Sequence, residues 1–252
     1  MGLVIKYGGN AMTDTGTRLA VAQAIRRLNE GGQELVVVHG GGPYIQAALD
    51  AAGLEHRFVR GLRVTSEASL EVIEQVLTVL GKRLAQEIGL AVGLTGRDAS
   101  FLRAELADAE LGRVGRMTEV DTAVMAGLRA AGLVPVVACL AVDAAGGLLN
   151  VNADEVAGAV AGALGEGVVF LTNVAGVLDD PGNPASLLSE LSRQEVEARI
   201  ADGRISGGMI PKVEAALAAL EQGAPFAVIA DGTTPDGVRA ALAGGGTRLR
   251  AA

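Results

Sequence analysis

Several side chains that build common functional sites are scarce in this chain. There is one cysteine, Cys139, so no internal disulfide can form. With only two histidines beside it, a zinc cluster is excluded. Aromatic residues make up 2% of the chain, so the core has to come from Val, Leu, Ile and Ala. No run reaches the roughly 18 apolar residues that span a bilayer. The opening stretch MGLVIKYGG is too short in apolar residues for a signal peptide. No basic run occurs, the net charge is −8 and the isoelectric point is about 4.9. Nucleic acid and anionic membrane are therefore poor partners. The expectation is a reducing, cytoplasmic location.

Familiar catalytic signatures are also missing. The only Gly-Lys pair is followed by Arg83, so there is no P-loop, and the turn at Gly40 has Ile45 where a dinucleotide fingerprint needs Gly. No GxSxG nucleophile elbow is present. Lysine itself is rare: Lys6, Lys82 and Lys212 stand against eighteen arginines. An acidic protein that binds an anion must do so with a few placed cations and backbone N–H groups, which gives each lysine added interest.

What is present is a 252-residue chain, 50% hydrophobic, with 36 glycines and a mean hydropathy of +0.37. That excludes disorder. Short apolar runs alternate with longer Ala/Leu-rich segments. Strands are predicted at 3–7, 34–39, 90–96, 133–142, 167–174 and 225–231. Helices are predicted at 15–30, 43–53, 65–89, 120–132, 153–165, 192–203, 209–223 and 235–243. Residues 101–118 read as an irregular or hairpin region. The strand runs are continuously apolar, as in a sheet covered on both faces, so the fold class is α/β with a mainly parallel sheet. Two lobes, 1–166 and 167–252, would share that sheet.

Five stretches could carry chemistry. In IKYGGNAM, Lys6 ends a strand before Gly8 and Gly9; a strand lysine at a glycine turn is the plain alternative. In VVVHGGGP, Gly40, Gly41 and Gly42 open a helix whose free N–H groups suit an anion. His39 there is a ligand or a strand-end structural residue. In GLRVTSE, Arg63 offers a fork for a carboxylate, or a surface ion pair. In NVNADEVA, Asn150, Asn152 and Asp154 stand where a strand passes into a helix, and capping explains only one of them. In GGMIPKV, Gly207, Gly208 and Met209 precede a helix with Lys212 in its first turn. A cation there opposes the helix dipole unless it meets an anion. A phosphate facing Lys212 would supply one.

KYGGNAM, VVVHGGGP, GLRVT, VGLTGRD, VNADEVA, LTNVAGVL, GGMIPKV and GGGTRL occur in that order. Together they resemble the amino acid kinase family, and within it the kinases that phosphorylate N-acetylglutamate. The resemblance implies a three-layer α/β/α sandwich. The N-terminal lobe would bind the acyl amino acid and dimerise, and the C-terminal lobe would bind the nucleotide. The implied reaction moves the γ-phosphoryl of ATP, carried with Mg²⁺, to the side-chain carboxylate of N-acetyl-L-glutamate in arginine biosynthesis. Lys6 and Lys212 would stabilise the transferring group, with Asp154 holding both lysines. Gly8, Gly9, Gly41 and Gly42 would offer N–H groups to phosphate and substrate. Arg63 would bind the α-carboxylate and Asn150 the acetamido end, beside Asn152. Thr172, Asn173, Val174, Gly176 and Leu178, with Gly207, Gly208 and Met209, would line the nucleotide site. No protein-built metal site is expected.

Some positions depart from the family pattern. Asn173 stands where Asp is usual, Ala99 where Gly is common, and the segment 81–85 lacks a usual Asn. The chain starts almost at its first strand, without the extra helix of arginine-inhibited hexameric relatives, which implies a homodimer insensitive to arginine. Two alternatives share the fold: a kinase for carrier-linked aminoadipate or glutamate in lysine-type biosynthesis, and a non-catalytic nucleotide or amino-acid sensor.

Overall fold

The computed structural model describes residues 2–8, 12–180 and 182–250. In chain order the first part runs β1 (Leu3–Tyr7), α1 (Thr15–Glu30), β2 (Leu35–His39), α2 (Gly42–Ala51), β3 (Phe58–Val59), β4 (Leu62–Arg63), α3 (Glu67–Ile88) and β5 (Ala91–Leu94). Then come β6 (Leu102–Leu106), β7 (Val114–Val120), α4 (Ala123–Ala130), β8 (Val134–Ala138), β9 (Leu140–Val142), β10 (Leu148–Val151) and α5 (Ala153–Leu164). The last part holds β11 (Gly167–Thr172), β12 (Glu190–Ser192), α6 (Arg193–Ala201), α7 (Ile210–Glu221), β13 (Phe226–Asp231), α8 (Pro235–Leu242) and β14 (Thr247–Arg250).

Eight strands form one sheet in the order β12-β14-β13-β11-β1-β2-β8-β5. Neighbours run parallel except at β13–β14. Period-two alternation sends Val4, Val36 and Val38 to one face, packed with Val156, Val160 and Val213 of α5 and α7. Ile5, Tyr7, Leu35 and Val37 face the other way, against Val21 and Ile25 of α1 and Val238 of α8. All five residues of β2 and of β8 are buried. This is the expected three-layer sandwich, and the continuous apolar runs follow from helices on both faces.

The caps follow the local rules. Ser66 accepts the Ser69 N–H to open α3, and Ser192 with Glu195 forms the reciprocal capping box of α6. The structure departs from the sequence reading in two places and bears out a hairpin in a third. The run LVPVVACLAV is two strands, because the chain leaves the main sheet at Cys139; β9 joins a small four-stranded ring, β10-β7-β6-β9. The hairpin expected near 101–118 is β6–β7 of that ring. The short strands β3, β4 and β12 were not anticipated.

Candidate active site

The carboxyl ends of β1, β2, β11 and β13 lie side by side: Lys6 pairs with Phe170, Tyr7 with His39 and Thr172 with Asp231. Open α/β sheets bind ligands at this edge. Lys6 has the parity of Val4, so its side chain points to the α5 face. There Asp154 sits in the first turn of α5, where the helix dipole favours a carboxylate. Lys6 Nζ lies 2.9 Å from Asp154 Oδ1, with the side chains 16% and 34% exposed. The two glycine turns meet here as well. The Gly40 N–H donates to the Tyr7 carbonyl at 3.2 Å, and a Cβ on Gly8 would lie 3.6 Å from Gly40 N and 3.7 Å from Lys6 Nζ.

A cleft of about 410 Å³ opens at this point. Lys6, Gly8 and Asp154 line one side, Thr172 and Asn173 continue from β11, and Lys212 enters from the first turn of α7. Lys212 Nζ donates to the Gly208 carbonyl at 2.9 Å. The expectation that Asp154 holds both lysines is therefore corrected: it pairs with Lys6, while Lys212 makes no ion pair among the described residues. A Cβ on Gly207 or Gly208 would meet nothing within 4 Å among the described residues. Val174, Gly176, Leu178 and Met209 line a separate, largely apolar cleft of about 310 Å³. Of the predicted nucleotide residues, Gly8, Thr172 and Asn173 thus line the lysine cleft, Val174, Gly176, Leu178 and Met209 line the apolar one, and Gly207 and Gly208 line neither. Gly176 has a packing reason of its own: a Cβ there would sit 2.5 Å from Thr247 Oγ1.

The residues expected to take the acyl amino acid lie to one side. Arg63 Nη1 donates to Gln46 Oε1 at 3.3 Å, and its Cζ stands 4.6 Å from the centre of the Phe58 ring. Partial burial lowers its pKa, with Asp50 opposing, and no carboxylate pairs with it among the described residues. Asn150 Nδ2 donates to Thr65 Oγ1 at 3.1 Å, and Thr65 Oγ1 donates to the Arg63 carbonyl at 2.9 Å, so Asn150 and Arg63 share one network. Neither lines the lysine cleft. Pro43 does, and Gln46, the partner of Arg63, follows it about one helical turn, roughly 5 Å, along α2.

Three candidates have structural roles. Asn152 Oδ1 accepts the Asp154 N–H at 2.8 Å, making it the cap of α5. Gly41 packs on α3, since a Cβ would lie 2.9 Å from Leu77 Cδ2, whereas Gly42 faces open space. His39 is fully buried, which removes it as a ligand; its Nδ1 bonds the Gly40 carbonyl at 3.1 Å, and burial pushes its pKa down to about 4. Gly9 lies outside the described residues. Cys139 is a buried core residue whose pKa burial raises to about 12.

Sequence reasoning missed Thr233, which lines the lysine cleft and hydrogen-bonds Asp231 Oδ1, and Gln46 and Phe58 around Arg63. Thr233 follows β13 at the same sheet edge, so a glycine-turn search at every strand end would have found DGTT. No group of three or more His, Cys, Asp or Glu residues suited to a metal stands together among the described residues. None of the described helices is long and apolar enough to cross a membrane.

Residues 1–231 match the family model described as the amino acid kinase family. An acetylglutamate kinase of Deinococcus radiodurans is 55% identical over 98% of this chain and 99% of its own length. An acetylglutamate kinase of Cereibacter sphaeroides is 44% identical over 93% of this chain and 81% of its own. Among solved structures, smu.665 from Streptococcus mutans UA159 superposes with a TM-score of 0.80 at 29% identity, covering 98% of both chains.

Proposed function

The chain belongs to the amino acid kinase family, and we infer that it transfers the γ-phosphoryl of ATP to the side-chain carboxylate of N-acetyl-L-glutamate, giving N-acetyl-L-glutamyl 5-phosphate. This is acetylglutamate kinase chemistry, the second step of arginine biosynthesis. The observation that carries the reading is the pair of lysines at one cleft, one held by Asp154 and the other without a carboxylate partner among the described residues.

A glutamate side chain has a reference pKa of about 4.3, so the acceptor is already an ionised nucleophile near neutral pH. No general base is required. What remains is positioning and charge stabilisation. Lys6 and Lys212 would lie on either side of the transferring group. Gly8, Gly42 and Gly208 would offer backbone N–H groups where no side chain intrudes. Asp154 keeps Lys6 aimed into the cleft. Thr172 and Asn173 would contact the phosphate end of the nucleotide, and the apolar cleft of Val174, Leu178 and Met209 would take its base. Arg63 and Asn150 would receive the α-carboxylate and the acetamido group. Mg²⁺ fits as an ion that arrives with ATP, held by phosphate oxygens and water, and supplies charge neutralisation. The lobes 1–166 and 167–252 divide these tasks. Val79, 58% exposed on α3 beside Val76 and Leu80, supports a homodimer contact on the N-terminal lobe.

The test is ADP release with MgATP and N-acetyl-L-glutamate, beside free glutamate and N-acetyl-aminoadipate. Selective turnover of N-acetylglutamate is expected. ATP binding without turnover of any free amino acid would favour a carrier-linked substrate or a sensor and overturn this reading. In the active enzyme, Lys6→Ala and Lys212→Ala should each lower kcat by about 10²-fold or more while weakening ATP binding far less. Near-normal turnover in either would remove that lysine from the mechanism.

A further inference from the structure

Phe58 is 56% exposed. Burial does not account for a phenylalanine there, in a chain that has only four. Its place follows from the hairpin that carries Arg63. Phe58 pairs with Arg63 and Val59 with Leu62, leaving Arg60 and Gly61 as a two-residue turn. Both turn residues have positive φ, 50° and 78°, as a tight hairpin twisted with its strands requires. Gly61 adopts this freely, and Arg60 is held by an ion pair to Asp108 at 2.6 Å. Arg57 reaches Glu110 at 3.8 Å from the other end of the hairpin, and the Val64 N–H donates to the Arg57 carbonyl. Ion pairs from both ends of the hairpin thus reach one segment, and the two-residue turn sets its register.

That register sets Phe58 directly across from Arg63, the arrangement in which cross-strand side chains touch. The ring stands 4.6 Å from the guanidinium carbon. On another side, Gln46 Oε1 occupies one N–H, at 3.3 Å. A planar guanidinium has five N–H donors, so among the described residues an edge remains for a bidentate carboxylate.

We propose that Phe58 is a positioning residue: its ring fixes the plane of Arg63 so that the free edge of the fork meets the α-carboxylate of the acyl amino acid. The proposal rests on the assignment of that carboxylate to Arg63. An unstacked arginine of this length would sample many rotamers, and ordering it would be charged against binding.

The test compares wild type, Phe58→Ala, Phe58→Trp and Arg63→Ala on N-acetyl-L-glutamate and on 4-acetamidobutyrate, which lacks only the α-carboxylate. Phe58→Ala should raise KM for N-acetylglutamate by about two- to fivefold, the range of an exposed cation–π contact, with kcat and KM for ATP changed less than about twofold. Phe58→Trp should restore KM. With 4-acetamidobutyrate, Phe58→Ala should change kcat/KM by less than about twofold, because no α-carboxylate is left for the fork to meet. Equal losses on the two substrates would mean that Phe58 only supports the hairpin, and an unchanged KM for N-acetylglutamate would also overturn the proposal. Failure of the parent reading looks different: wild type would not turn over N-acetylglutamate, or Arg63→Ala would leave its KM unchanged.

Discussion

Buried His39 should contribute a separable part of this protein's loss of stability on acidification. The side chain is fully buried, Nδ1 donates to the Gly40 carbonyl, and Nε2 has no hydrogen-bond partner among the described residues. The ring lies so close to α3 that a Cβ on Gly81 would stand 2.7 Å from Nε2. A second proton would have no acceptor, so desolvation holds the pKa near 4 against a usual 6.5. The folded pKa is depressed, so the unfolded chain binds the proton more readily. Stability is then complete above pH 6.5 and lost as pH falls toward 4. Linkage gives a loss of about 2 kcal/mol by about pH 5 and about 3 kcal/mol by about pH 4. Urea unfolding of wild type and of His39→Asn, which keeps a donor but does not titrate, should be measured across this range. The carboxylates whose pKa values are lowered, such as Asp143 and Asp202, titrate in both proteins and cancel in the difference. The two stability curves should converge on acidification by about 3 kcal/mol. Parallel curves would refute a buried neutral His39.

Three further outcomes follow from the packing. Ala99 has φ 53°, a left-handed conformation that costs a residue with a Cβ about 1 kcal/mol. Ala99→Gly should therefore raise thermal stability slightly, once the extra freedom of the unfolded glycine is subtracted. Glu166 binds Arg129 through both oxygens at 2.7 Å, with the side chains 10% and 7% exposed. Glu166→Gln leaves a buried charge unpaired and should cost about 3 kcal/mol in a denaturant titration, with kcat of the folded enzyme unchanged. Gly93 lies against the backbone of α3, where a Cβ would meet Gly81 C and O at 2.8 Å. Neither atom can move without shifting the helix, so Gly93→Ala should lower the melting temperature sharply, by the equivalent of about 3 kcal/mol.

The layers were legible because burial on both faces writes continuous apolar runs, and most of the sheet edge was legible because β1, β2 and β11 are followed at once by Gly8, Gly40 and Asn173. Other features were hidden for physical reasons. A strand that changes sheets keeps its apolar pattern, so the break at Cys139 left no mark. Two-residue strands such as β3 and β4 are too short for alternation to register. Asn152 and Asn150 look alike in sequence, yet one caps α5 and the other reaches Thr65; amides suit both tasks, and only the backbone angle at the helix start separates them. Gly41 and Gly42 differ in the same way, because one abuts Leu77 and its neighbour faces open space.

The two lysines show why position matters more than charge here. Lys6 stands in the middle of the sheet, 16% exposed, where an unpaired ammonium would be costly, and Asp154 offsets that cost from a helix N-terminus that itself favours a carboxylate. Lys212 lies in the first turn of α7, where the dipole disfavours a cation, and its nearest hydrogen-bonding partner is the neutral Gly208 carbonyl. An anion entering the cleft meets one lysine already fixed in place and another whose charge no described residue compensates. The first sets where the anion lies, and the second gains most from its arrival. On the proposed reading, loss of Lys6 disturbs geometry as well as charge, because it leaves Asp154 facing the phosphate with no cation between them. Loss of Lys212 removes charge stabilisation while the rest of the site keeps its shape.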